Sequence, residues 1–527
     1  MKLTKTKKRQ ATTNHMGGKA YTLTPEMALY TLVVTSVLQD AYYEKATTRL
    51  ANLRALVAQV SPIFVAKLAV YAREQMYLRS TPIVLVCELA KIHRGDSLVS
   101  STIERIVQRP DDMTELLAYY QLMNERKQSK KLHKLSKQIQ KGLARAFNKF
   151  DGYQLAKYNR KGLVSLRDAL FLVHPKAKDE AQQALFDQLV KGNLPVPYTW
   201  ETELSSVGQA AFDDPLEKQQ AKAEKWETLV MSGRLGYMAL LRNLRNILLQ
   251  GTEVAILATT EKLVHKGLIR RSKQLPFRFL SAYAELAKLS LEQTTTVVSS
   301  QDVEDYRQVL MAAIERALEI SIENIPDLEG KTLVLSDNSG SMFGDFAGKS
   351  VVSAMSSRKT ADIANLFAVI CQAKAAHTKI GLFGDRLIKP RLKKEDGIFA
   401  NFQQINEAAQ QCGGATETGI FVMFEELIQK RKMVDRIFIF SDCQVGTGCN
   451  WFDDKSSRGN HFNKLFRAYK KINPAVITYS VDLRGYGNTL FTEGVATIGG
   501  WSEKIFNMVE ACEKGSSVLE EINQLTL

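Results

Sequence analysis

What this chain lacks excludes several classes before any motif is read. No apolar run among its 527 residues approaches the roughly 20 positions that a membrane-spanning helix needs. The basic start (Lys5, Lys7, Lys8, Arg9) is followed by no apolar segment, so it does not read as a secretory signal. Six cysteines, Cys87, Cys371, Cys412, Cys443, Cys449 and Cys512, never take C-x-x-C spacing, and the seven histidines form no H-E-x-x-H cluster. Neither a zinc site nor a disulfide framework is therefore expected; the thiols read as reduced and the location as cytoplasmic. Strand patterns are almost missing before residue 326, and no RRM, KH or zinc-finger signature occurs. No carboxylate cluster fit for two metal ions and no evident general base is present, which argues against a metal-dependent hydrolase or nuclease and for a protein that is not an enzyme.

What is present divides the chain in two. At 45% hydrophobic residues it is globular, and its length suits two or three domains. From residue 330 on there are 24 Lys and Arg against 21 Asp and Glu; before it, 47 against 35. Most of the net +15 thus lies in the first part, the footprint of a polyanion binder, although ordinary solvated lysine gives the same excess. The first part reads as helices at 25–40, 44–60, 61–77, 82–93, 100–108, 112–125, 130–149, 165–173, 178–191, 217–231, 235–249, 252–266, 276–290 and 302–322. Many short helices with brief polar connectors suggest stacked HEAT-type repeats. After 329, strands at 332–336, 379–384, 436–441 and 475–481 alternate with helices at 361–376, 419–429, 462–472 and 502–512, the pattern of a doubly wound, mostly parallel sheet. The fold class is α + α/β, with a basic flexible tail at 1–13, a helical-repeat domain at 14–328 and an α/β domain at 329–527.

Cations gather in three places. Between Glu125 and Asp151 no acid occurs, and Lys127, Lys130, Lys134, Lys137, Lys141, Arg145 and Lys149 recur on one helical stripe opposite Leu132, Leu135, Ile139, Leu143 and Phe147. Like charges at this spacing cost a few tenths of a kcal/mol per pair, a repulsion that a phosphate backbone would relieve. A solvated surface helix accounts for the stripe equally well. The second group is Lys157, Tyr158, Arg160, Lys161, Arg167 and His174; the third includes Lys262, His265, Lys266, Arg270, Arg271, Lys273 and Arg278. Cations interleaved with aromatics suit single-stranded nucleic acid, which needs stacking and phosphate neutralisation together.

The apolar run 332–335 leads into Asp337-Asn338-Ser339-Gly340-Ser341. A carboxylate and two hydroxyls at alternate positions, on the turn leaving a strand, aim oxygens at one spot and suit a hard cation such as Mg²⁺. Ser and Asp after a strand also serve as helix N-caps. The D-x-S-x-S spacing resembles the metal-ion-dependent adhesion site of von Willebrand factor A (vWA) domains. That resemblance implies a loop threonine at Thr416 and a second aspartate at Asp442. Hydroxyls are neutral ligands, so affinity would depend on a carboxylate from a partner.

The chain as a whole resembles the Ro autoantigen family, a TROVE module followed by a vWA-like domain. The residues that carry this are Asn14-His15-Met16-Gly17-Gly18, Ala69-Val70-Tyr71-Ala72-Arg73, Leu78-Arg79-Ser80-Thr81-Pro82, Gly142-Leu143-Ala144-Arg145-Ala146-Phe147, Leu172-Val173-His174-Pro175-Lys176 and Leu235-Gly236-Tyr237-Met238-Ala239-Leu240-Leu241-Arg242-Asn243-Leu244. The resemblance implies a ring of HEAT-like repeats joined by the vWA-like domain, acting as a monomer. It implies small noncoding Y RNA on the outer surface and single-stranded 3′ ends of misfolded RNAs in a basic hole. Lys157, His174 and one of Arg160 and Lys161 stand where it places RNA contacts. It further implies work beside an exoribonuclease in RNA quality control. The competing reading is a metal-dependent docking or adhesion scaffold whose RNA binding is incidental.

Overall fold

Residues 332–335 run apolar into the metal motif because this part of their strand is buried in a sheet covered on both faces. The computed structural model describes residues 9–35, 40–124, 135–274, 276–289, 300–323, 325–345, 348, 350–352, 358–446, 462–502 and 504–527. Its strands are β1 (Ala11–Thr13), β2 (Lys19–Thr22), β3 (Leu328–Asp337), β4 (Ala375–Phe383), β5 (Leu387–Ile388), β6 (Arg436–Ser441), β7 (Ile477–Asp482), β8 (Asn488–Thr489) and β9 (Ala496–Gly499). The larger sheet has the order β5-β4-β3-β6-β7-β9, parallel except for β5. Side chains alternate between its faces. Leu333, Leu335, Ile437 and Ile439 pack on one side with Phe421, Phe424, Phe462 and Phe466. Phe438 and Phe440 meet Phe506 and Phe367 on the other. The chain leaves β3 outward to β4 and returns to β6 on the far side of β3. This reversal opens a crevice at the carboxyl ends of β3 and β6, where ligands of such sheets bind.

A second sheet, β1-β2-β8, is antiparallel and places Tyr21 opposite Thr489. Residues 11–13, expected in a flexible basic tail, form β1 instead, and Arg9 donates to the Phe491 carbonyl at 3.1 Å. The chain divides into two compact units, one of residues 1–150, 160–186 and 325–527, the other of 151–159 and 187–324. The first holds both sheets together with the helices Pro25–Thr35, Ala46–Val57, Pro62–Glu74, Ser80–Ile92, Leu98–Ile106, Pro110–Met123, Lys137–Phe147 and Leu166–Val173. Three of these open on proline, whose fixed φ and missing N–H suit a first helical position. Among the described residues the second unit is helical throughout, around buried Trp226, Ile247, Ile256, Phe279 and Ile314. The helix expected at 130–149 begins at Lys137; residues 125–134, with Lys127, Lys130 and Lys134, lie outside the described residues.

Gly142 marks a close helix crossing. A Cβ there would sit 2.7 Å from Ile103 Cβ and 2.8 Å from the Ser100 carbonyl oxygen. Alanine at a helix interior ordinarily gains up to about 1 kcal/mol over glycine. Here overpacking decides the sign, and Gly142→Ala is expected to cost about 1–3 kcal/mol, read as a lower urea midpoint.

Candidate functional site

The loop after β3 is anchored by amides before its carboxylate is presented. Asn338 N–H donates to the Phe383 carbonyl at 2.8 Å, and its side chain exchanges hydrogen bonds with Asn365 at 3.2 and 2.9 Å. Asp337, 1% exposed, then accepts from Ser339 N–H at 3.0 Å and from the Ser441 hydroxyl at 2.6 Å. The Ser339 and Ser341 hydroxyls lie 3.2 Å apart. Asp442, past the end of β6, accepts Gln444 N–H at 3.0 Å on Oδ1, while its Oδ2 is buried without a hydrogen-bond partner. Burial, then the Asp442 charge, pushes the Asp337 carboxyl up to about 7, and burial raises Asp442 as well. Four of the five residues expected at this spot are thus grouped. Thr416 arrives on the loop whose Gly414 carbonyl accepts Gly340 N–H at 3.0 Å, but its own hydroxyl donates to Asp385 at 2.9 Å.

The orphaned Asp442 oxygen and the neighbouring hydroxyls make an oxygen-only donor set that a hard divalent cation fits. Among the described residues, no three Asp, Glu, His or Cys side chains converge as ligands, so hydroxyls would have to complete any shell. Several neighbours escaped the sequence reading. Glu417 is buried, accepts Gly446 N–H at 2.9 Å, and is pushed well above the carboxylate range by burial and then by Asp337. Tyr43 hydrogen-bonds Ser341, and Tyr42 donates to Asp345 at 2.8 Å. His15 stacks on Tyr43 at 5.0 Å and also donates its backbone N–H to Gln444 at 2.9 Å. Glu417 directly follows Thr416, the one signal that could have found it. Tyr42 and Tyr43 stand some 300 residues from the motif and carried none.

The cations divide between the two units. In the first, Lys137, Lys141 and Arg145 point outward from one helix whose Ile139, Leu143 and Phe147 are buried. Arg145 pairs with Glu104 at 3.2 Å, and Lys149 is drawn onto the Glu104 and Val107 carbonyls. Arg160 and Lys161 are exposed beyond the helix Gly152–Tyr158. Ser165 and Asp168 cap the helix Leu166–Val173 reciprocally, and His174 ends it in the left-handed conformation (φ 48°), exposed. In the second unit Lys157 lies over the Tyr153 and Tyr158 rings at 5.5 and 5.7 Å. Arg270 and Arg271 are exposed on the helix Lys266–Ser272, Arg270 within 3.8 Å of Glu323.

The TROVE domain model matches residues 8–193 and 191–326. The chain belongs to the TROVE family. TROVE proteins are RNA-binding and associated with ribonucleoproteins, and the Ro resemblance read from the motifs is borne out. This TROVE chain is similar to telomerase protein component 1 of Mus musculus, 25% identical over 350 residues, 51% of this chain and 13% of that protein. It is 25% identical over 354 residues to the same component of Rattus norvegicus, again 51% and 13%. It therefore spans about an eighth of the length of the curated relatives it matches. Its fold is similar to the crystal structure of the Ro (RSR) protein of Deinococcus radiodurans, with a TM-score of 0.58 and 15% identity over 94% of this chain and 100% of that one. Several TROVE motifs prove architectural. Asn14 donates to the Val445 carbonyl at 2.7 Å, and Gly18 leaves no room for a Cβ beside the same oxygen. Tyr237 hydrogen-bonds the Leu263 carbonyl at 2.8 Å. No described helix is long and apolar enough to cross a membrane.

Proposed function

We propose that this chain is a non-catalytic RNA-binding protein. It takes small noncoding, Y-type RNA and the single-stranded 3′ ends of misfolded or structured RNAs, in RNA quality control, maturation or decay in the cytoplasm. The observation that carries this reading is the TROVE match over 8–326, the stretch that also holds most of the basic excess. On this reading HEAT-like repeats form a ring completed by the vWA-like domain, and a free single strand threads where a duplex is too wide and stiff. Lys157 flanked by two tyrosines, and Arg167 over the exposed Phe171 ring at 5.7 Å, offer charge and stacking surface together. Arg160, Lys161, His174, Arg270 and Arg271 would meet phosphates, which position RNA without reading its sequence.

Asp337, Ser339, Ser341 and Asp442, with Thr416 beside them, would hold Mg²⁺ or another divalent cation. Bound there, the ion would supply a coordination position for a partner's carboxylate. The chain's part is to fix the hydroxyls and to keep water from the buried carboxyls. The orphaned Asp442 oxygen also favours a second reading, a metal-dependent docking scaffold, with an exoribonuclease as one partner at that face.

Gel shifts with 3′-tailed and blunt RNAs across a salt series test the first reading. Wild type should prefer tailed RNA, and Lys157→Ala with His174→Ala should weaken that binding about tenfold and flatten the salt slope. Equal binding of tailed and blunt RNA by both proteins would refute entry by a free end.

A further inference from the structure

Between the helices Ser80–Ile92, Pro110–Met123 and Lys137–Phe147, all in the first compact unit, lies a pocket of about 520 Å³. That is within the range of about 300–1,000 Å³ typical of small-ligand sites, room enough for a nucleotide. Among the described residues no Asp or Glu lines it, whereas Lys91, His93, Arg94 and Lys137 do. Two of these side chains already have acidic partners: Lys91 in Glu88 at 2.9 Å and His93 in Asp96 at 2.8 Å. The other two have no acidic partner among the described residues. Among the described residues Lys137 reaches only the Gln140 amide oxygen, at 3.2 Å, and the exposed Arg94 has no side-chain hydrogen bond or ion pair.

The other walls suit a base rather than a bare anion. The half-buried Met123 gives a soft apolar surface, Tyr120, 8% exposed, adds part of its side chain behind it, and Asn124 adds an amide. Gly95, at φ +106°, faces open space where any side chain would project, so a ligand can approach the backbone there. The helix opening at Lys137 has no side-chain cap, which leaves its first N–H groups on the same wall. An apolar wall beside two cations is a pairing that single strands use, apolar contact for the base and neutralisation for the phosphate.

We infer that this pocket is a further single-stranded RNA subsite, taking one nucleotide with its phosphate on Arg94 and Lys137 and its base against Tyr120 and Met123. This rests on the RNA-binding reading above but uses residues that the Ro resemblance does not supply, apart from the charge stripe that includes Lys137. The pocket is concave and offers space for a base.

The test uses the full chain and a fluorescein-labelled oligouridylate, followed by anisotropy from 50 to 300 mM KCl, with a 4-thiouridine oligonucleotide for crosslinking. Arg94→Ala is expected to weaken binding several-fold and to flatten the log–log salt slope by about 0.7, the value of one single-strand phosphate contact. Arg94→Lys should restore much of the slope, and the crosslinked peptide should contain Tyr120 or Met123. If Arg94→Ala and Lys137→Ala both match wild type in affinity and slope while Lys157→Ala with His174→Ala loses binding, the subsite is refuted and the RNA reading stands. If wild type does not bind the oligonucleotide at all, both fall.

Discussion

Asp112→Ala is expected to destabilise the first compact unit by about 3–5 kcal/mol, the cost of leaving a buried ion-pair partner uncompensated. Asp112 is fully buried at the start of the helix Pro110–Met123 and serves two arginines. Arg73 Nη2 reaches its Oδ2 at 2.5 Å and Arg79 Nε its Oδ1 at 2.9 Å. The same carboxylate accepts the Gln108 and Arg109 N–H groups at 3.1 and 3.0 Å. Arg79 has further acids in Asp111 and Glu115, at 2.7 and 3.0 Å. Arg73 is 7% exposed, so Asp112→Ala strands mainly that guanidinium, whose ionisation burial already opposes. Urea unfolding followed by tryptophan-independent circular dichroism would read the loss. Arg73→Met with Asp112→Leu should recover most of it, because an apolar pair of similar volume replaces a buried ion pair at little cost. A double variant no more stable than Asp112→Ala would show that helix-start hydrogen bonds, not the ion pair, carry the effect.

Mn²⁺ or Mg²⁺ is expected to raise the melting temperature of the wild-type chain, and Asp337→Asn to abolish the rise. A ligand that binds only the folded state at about 100 times its Kd adds roughly 2.7 kcal/mol. Asparagine keeps the shape and an acceptor for the Ser339 N–H, and its amide can donate to the Ser441 oxygen in place of accepting from it, so the metal-free variant should melt no lower than the metal-free wild type. It also removes a buried carboxyl that sits against Asp442. Calorimetric titration of both proteins gives the same answer without heating. Identical shifts in wild type and variant would remove the ion from the Asp337 loop.

The sheet was largely readable because its strands are buried on both faces and appear as short unbroken apolar runs. Arg436–Ser441 and Phe462–Ile472 lie where the pattern put them. The hairpin of β1 and β2 was not readable. Its strands span three and four residues without a clear alternation, and β2 finds its outer neighbour only at Asn488–Thr489. The oxygen motif was legible because alternate spacing after a strand is a local property. The Asp385 bond that engages Thr416 comes from 31 residues away, and the tyrosines against Ser341 and Asp345 come from much farther. Charge behaved likewise. The stripe of Lys137, Lys141 and Arg145 was plain, but its partial neutralisation by Glu104 depends on a neighbouring helix. Helix beginnings at Pro62 and after Ser165 fell within a residue or two of expectation, but the helices Gly152–Tyr158, Trp200–Gln209 and Val518–Gln524 were not expected although each opens on a capping pair, because all are short.

The pairing of Tyr21 with Thr489 also sets a clock on biosynthesis. At roughly 5–20 residues per second, a ribosome needs on the order of half a minute to a minute and a half between making the two strands. Throughout that interval the β1–β2 hairpin presents an open edge, and the loop at Asn14 has no Val445 carbonyl to close on. Emerging chains on neighbouring ribosomes therefore meet with the same unfinished edge exposed. Slowing translation late in the message should lower the soluble yield more than slowing it early, where the waiting partner does not yet exist.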